Sequence, residues 1–165
     1  MNVMVGDIGG TNSRIAVVET GNDRFELLDE RTYPSRDFPS LKEVLAEFVE
    51  EVPVAGSARR ACFGIAGPVW DNRCDATNLP WVVDGDLLAQ QLDLGEIRLL
   101  NDLEAGAWGL GQLGSDGLDT LKEGDSVRGN RALLAPGTGL GEAALFWDGH
   151  RHHPYATEGG HADFG

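Results

Sequence analysis

Lysine is nearly absent from these 165 residues: Lys42 and Lys122 are the only two, and 13 basic residues stand against 27 acidic ones, a formal charge of −14. A general nucleic-acid binder neutralises phosphates with clustered Lys and Arg, so that class is excluded. Cysteine is equally scarce, with Cys62 and Cys74 alone and not in a Cys-x-x-Cys spacing. That usage fits reduced thiols in a cytoplasmic protein better than a disulfide framework or a metal site. No apolar run approaches the roughly 20 residues of a membrane span. The opening Met1-Asn2-Val3-Met4 lacks the basic region of a secretory leader, so none is expected. Seven prolines are too few for a Pro-rich linker protein.

A hydrophobic fraction of 41% is enough for a packed core, which excludes a disordered chain. The length predicts one domain, or one domain and part of another. Glycine is in excess, 23 residues against a usual share of about 7%. The glycines cluster without a Gly-X-Y period, as they do where backbone is shaped around a ligand.

Val3–Val5, Ile15–Val18 and Phe25–Leu28 read as short strands joined by tight turns. Leu41, Val44, Leu45, Phe48, Val49 and Val52 form a helical stripe over 40–52. Ala61–Ala66 reads as a buried strand, 84–92 as a helix, and Ile97–Leu100 as a strand running into a helix that reaches about Leu113. Arg131–Ala135 and Ala143–Trp147 are further strands, the second facing His150–Tyr155 in a hairpin. Alternating strands and helices predict an α/β fold with a mixed sheet. The polar stretch 114–129 is the candidate boundary, giving an α/β domain over 1–113 and the beginning of a second over 114–165. The residues beyond that stretch are too few for an ordinary independent domain.

The turn Gly6-Asp7-Ile8-Gly9-Gly10-Thr11-Asn12 ends a strand. Its glycines allow close backbone approach, and successive N–H groups there make a concavity suited to phosphate. Asp7 is placed to hold Mg²⁺, directly or through water. A plain hairpin turn accounts for the same residues. Gly137-Thr138-Gly139-Leu140-Gly141 is a second such turn, and two of them fit a phosphate chain held from two sides. Neither lysine adjoins a glycine turn, so this is not a P-loop. Gly109, Gly111 and Gly114 match Gly-x-Gly-x-x-Gly literally, but at a helix end rather than after a strand, which excludes a dinucleotide fingerprint.

In Leu100-Asn101-Asp102-Leu103-Glu104, Asn101 and Glu104 have the spacing of a capping box. An Asn-Asp pair at the carboxyl end of a strand also points into the crevice where open α/β sheets bind ligands. There Asp102 can accept a hydroxyl proton that Asn101 orients. Glu158-Gly159-Gly160-His161-Ala162-Asp163 groups a carboxylate and an imidazole able to grip vicinal sugar hydroxyls; a polar turn is the simpler reading. His150, His152 and His153 lack a fourth ligand and a metal-site spacing, and read as a solvated hairpin.

Taken in order, these motifs, together with Thr77-Asn78-Leu79-Pro80-Trp81 and Ala135-Pro136 before the second turn, resemble the bacterial glucokinase family. These are ATP-dependent hexose kinases of the actin/hexokinase/Hsp70 superfamily. The resemblance implies an actin-like ATPase (ribonuclease H-like) fold and phosphoryl transfer from ATP to the 6-hydroxyl of glucose. It implies Asp102 as general base and Asn78, Asn101, Glu158 and His161 at the sugar. Gly6, Asp7, Ile8, Gly9, Gly10, Thr11, Asn12, Gly137 and Thr138 would lie at the ATP phosphates, with Asp7 near Mg²⁺. It also implies a cytoplasmic enzyme, with no nucleic-acid or membrane partner, that is a homodimer at full length.

Members of that family run to about twice this length, so the chain is expected to be an amino-terminal half. Little ATP turnover and some self-association are then expected of it alone. Relatives that repress transcription carry a helix-turn-helix before the phosphate turn, where this chain has five residues, so a repressor is not expected. Two classes remain open: a kinase, or a non-catalytic sugar-binding module derived from one.

Overall fold

Strand β1 (Asn2–Ile8) alternates faces, turning Met4 and Ile8 into the core. The computed structural model describes residues 1–21, 24–125, 127–137, 139–157 and 159–161. After β1 the chain doubles back through β2 (Asn12–Gly21) and β3 (Arg24–Pro34), both antiparallel to their predecessors. Helix α1 (Leu41–Glu51) is next in the chain. Ser40 caps it by accepting from the Lys42 N–H at 3.2 Å, and Pro53 stands just past its end. Leu41, Val44, Leu45 and Phe48 point inward from one stripe, as their spacing predicts. Val49, one residue beyond Phe48 and so about 100° round the helix, is exposed instead.

Strand β4 (Arg60–Ile65) returns parallel to β1, and β8 (Glu96–Asn101) lies parallel to β4. The five-stranded sheet has the order β3-β2-β1-β4-β8. Between β4 and β8 the chain forms a small antiparallel sheet of β5 (Val69–Trp70), β6 (Arg73–Asp75) and β7 (Val82–Asp84), then helix α2 (Gly85–Gln91). The small sheet is not among the elements expected from the sequence. Its core-facing residues, Cys74 and Val83, join the cluster that runs from Met4 through Phe48 and Phe63 to Leu99.

The chain divides into two compact units, Met1–Asp102 and Leu103–Gly165. The second holds most of helix α3 (Asp102–Gly109) and an antiparallel sheet of β9 (Arg131–Pro136), β10 (Leu140–Trp147) and β11 (His152–Thr157), in the order β11-β10-β9. Ala107, Ala143 and Leu145 form its buried cluster, with Leu103 and Leu133 against them. Among the described residues no helix is long and apolar enough to cross a membrane.

Candidate active site

Three parallel strands of the first unit end level with one another. Ile8 pairs with Ile65, and Ile65 with Asn101, so the loops after β1, β4 and β8 leave the same edge of the sheet. In open α/β sheets ligands bind beyond the carboxyl ends of strands, and this edge carries most of the candidate residues.

The turn after β1 is tightly closed. Gly9 N–H donates to the Asn12 carbonyl at 3.0 Å, and the Ser35 N–H donates to the Thr11 carbonyl at 2.9 Å. Asp7, on β1 across from Gly64 of β4, is exposed. Gly10 is fixed by contact: a Cβ there would stand 2.5 Å from the Cβ of Asn78, so only glycine admits the Asn78 loop this close. That loop is itself braced. Ala76 N–H donates to the Trp81 carbonyl at 2.9 Å, Thr77 N–H to the Ala66 carbonyl at 3.1 Å, and the buried Trp81 indole to the Phe38 carbonyl at 3.2 Å. Asn78 and the glycine turn, 68 positions apart (78 − 10), are thereby neighbours.

The loop after β4 meets the end of β8. Asn101 Nδ2 donates to the Gly67 carbonyl at 3.1 Å, which orients the side chain expected to touch the sugar. Gly67 has φ +147°, a conformation L side chains rarely adopt, and a Cβ would stand 3.0 Å from both the Asp75 carbonyl and Cys74 Sγ. Burial pushes the Cys74 thiol up in pKa, and the carboxylates of Asp75 and Asp102 add to the shift. Cys74 is thus a neutral packing residue beneath the loop. Asp102 opens α3 directly from β8.

The remaining candidates belong to the second unit. Gly137 N–H donates to the Gly139 carbonyl at 2.8 Å, closing the turn between β9 and β10. Gly141 packs on Leu103, whose Cδ2 would stand 2.9 Å from a Cβ there. His161 ends the short 3₁₀ turn Gly159–His161. Thr138 and Glu158 lie outside the described residues. The histidine cluster forms the β10–β11 hairpin: the Asp148 carboxylate accepts from the His150 N–H (2.7 Å), the Arg151 N–H (2.8 Å) and His153 Nε2 (2.6 Å). These bonds, the Arg151 amide first, hold the Asp148 carboxyl well below the usual carboxylate range. Gly109, Gly111 and Gly114 follow one another from the end of α3 through a 3₁₀ turn, away from any strand.

One feature of the site carries no sequence signal. Among the described residues of the first unit, Ser13 and Ser35 are the fully buried polar side chains, and they bond each other at 2.9 Å beneath the glycine turn. Serines at unrelated positions have no periodicity or motif by which to be found.

The profile of the glucokinase family matches residues 4–165. The chain belongs to the glucokinase family. It is 37% identical over 164 residues to a glucokinase of Trichormus variabilis, covering 98% of this chain and 48% of that protein. Against a glucokinase of Synechocystis sp. the identity is 41% over 175 residues, covering 99% and 49%. The crystal structure of a glucokinase from an Antarctic psychrotroph superposes with a TM-score of 0.85 at 31% identity, over 98% of this chain and 51% of that one. The chain spans about half the length of the curated relatives it matches. The family fold is the actin-like ATPase fold, as the motifs implied, and the mixed five-stranded sheet is its core.

Proposed function

We propose that the protein carrying this chain is an ATP-dependent glucokinase, transferring the γ-phosphoryl group of ATP to the 6-hydroxyl of glucose. What carries this reading is a convergence at one sheet edge: in a chain of this family, the closed glycine turn and Asn101–Asp102 leave the carboxyl ends of parallel strands together, and the Asn78 loop between β6 and β7 packs on Gly10 of that turn. In the proposed reaction Asp102 takes the proton of the 6-hydroxyl while that oxygen bonds to phosphorus. The bond from phosphorus to the bridging oxygen of the departing ADP breaks. Asn101 and Asn78 orient the sugar, and Glu158 and His161 bind its other hydroxyls. The first glycine turn and Gly137–Thr138 hold phosphate oxygens, with the Gly10 and Thr11 N–H groups as donors in the first turn, since the Gly9 N–H is bonded to the Asn12 carbonyl and the Gly137 N–H to the Gly139 carbonyl.

The residues present fit a magnesium–nucleotide group. Gly9 and Gly10 put no side chain between their backbone and an incoming phosphate, and the Asp7 carboxylate is exposed two residues before Gly9. Mg²⁺ bound through Asp7 would neutralise phosphate charge. A cytoplasmic location and a full-length homodimer belong to the same reading.

The test is a coupled assay on the whole protein with glucose and MgATP, paired with calorimetric titration of each. Glucose-dependent formation of ADP and glucose 6-phosphate is expected. A folded protein that binds glucose, ignores MgATP and turns nothing over would be a sugar-binding module, and the kinase reading would fall.

A further inference from the structure

Beneath the glycine turn, a buried hydroxyl backed by a second, and one backbone amide, converge on its carbonyls. The Ser35 Oγ donates to the Gly9 carbonyl at 2.7 Å. A hydroxyl has a single proton, so the 2.9 Å contact between Ser13 and Ser35 must be donated by Ser13. The result is a relay, Ser13 O–H to Ser35 Oγ and Ser35 O–H to Gly9 O, in which each bond polarises the next. Both side chains are fully buried, and the backbone N–H of the same Ser35 holds the Thr11 carbonyl.

The relay fixes a direction. The described peptide bonds include no cis bond, so the Gly9–Gly10 unit is trans and planar. In such a unit the C=O and N–H point opposite ways. A Gly9 carbonyl drawn down onto Ser35 therefore turns the Gly10 N–H up, away from the buried serines. Glycine on both sides of this bond leaves the peptide plane free to rotate, because neither residue has a Cβ to oppose a flip. Two glycines make the turn open to phosphate but do not say which way its amide faces. Ser35 supplies that information.

We propose that Ser35, steadied by Ser13, is a positioning residue for the nucleotide: it locks the Gly9–Gly10 peptide with Gly10 N–H outward as a preset donor to a phosphate oxygen. The proposal rests on the kinase reading and on the first glycine turn as its phosphate site. A preset donor matters because a peptide free to flip presents its carbonyl oxygen, a repulsive group, to the anion for part of the time.

The experiment compares Ser35→Ala, Ser13→Ala and the unaltered whole protein, reading KM for MgATP, KM for glucose and the thermal midpoint. A hydrogen bond to a charged group sets the scale, so Ser35→Ala is expected to raise KM for MgATP about tenfold or more while KM for glucose stays within about twofold. Ser13→Ala, which leaves the donor to Gly9 in place, should give a smaller rise in the same constant. Equal rises in both KM values, or an unchanged KM for MgATP, would show a merely structural serine and overturn the proposal while leaving the kinase reading intact. Should Ser35→Ala fail to fold, Ser13→Ala decides: a folded variant with unaltered KM for MgATP overturns it. An unaltered protein that neither binds nor consumes MgATP overturns the kinase reading and this proposal with it.

Discussion

At the scale of single residues, the chemistry proposed rests on Asp102 and on the loop that faces Asn101. Asp102→Asn keeps size and hydrogen-bonding capacity but cannot take a proton. In the whole protein it is expected to lower turnover about 10²- to 10⁴-fold while glucose affinity, measured by calorimetry, stays nearly unchanged. Unaltered turnover would remove Asp102 from the role of base. Gly67 is the other sensitive position, because its φ of +147° and its 3.0 Å approaches leave no place for a side chain. Gly67→Ala is expected to cost about 1–3 kcal/mol of stability, seen as a lower denaturation midpoint. It also displaces the carbonyl to which Asn101 donates. A midpoint equal to that of the unaltered protein would contradict this account.

At the scale of elements, the turn of the β10–β11 hairpin is tied by one carboxylate, beside the backbone ladder of the two strands. Asp148 bonds two backbone amides and His153, and its folded pKa is depressed. A group of that kind contributes stability above its unfolded value, about 3.9, and loses it as pH falls through the folded value. The stability gap between the protein and Asp148→Asn should therefore be widest near neutrality and narrow steadily below about pH 4. Denaturation followed by tryptophan fluorescence checks this, and a gap independent of pH would refute it. The hairpin was legible in the sequence, as was α1, because Leu41, Val44, Leu45 and Phe48 repeat at a helical period set by burial on one side. The sheet β5–β7 was not. Its strands are two or three residues long, too short for alternation to register. Of the site, the glycine turn and Asn101–Asp102 could be read from local chemistry. The Gly10–Asn78 contact and the Ser13–Ser35 pair could not, since tertiary packing alone brings those residues together.

For the molecule as a whole, the two units differ in what they bury. The first closes around a continuous cluster from Met4 to Leu99, the second around Ala107, Ala143 and Leu145. Backbone amides of β1 and β4 are thus expected to exchange with deuterium far more slowly than those of β10. Equal protection in native-state exchange would mean that the units open as one. Association with other copies is opposed by the charge of −14 and also by how one edge of the large sheet ends. At the β8 edge the Asn72 amide takes the place of a neighbouring strand, its Nδ2 donating to the Ile97 carbonyl at 2.9 Å and its Oδ1 accepting from the Leu99 N–H at 2.9 Å. The same Nδ2 donates to Asp86 at 2.7 Å. An open edge invites pairing with another chain, and over Ile97–Leu99 the backbone groups of this edge are closed by one carboxamide. Hydrolytic deamidation, the slow ageing of asparagine, would replace that nitrogen by oxygen and set a carboxylate against the Ile97 carbonyl and the Asp86 carboxylate. How long this edge stays closed is in this sense written into Asn72.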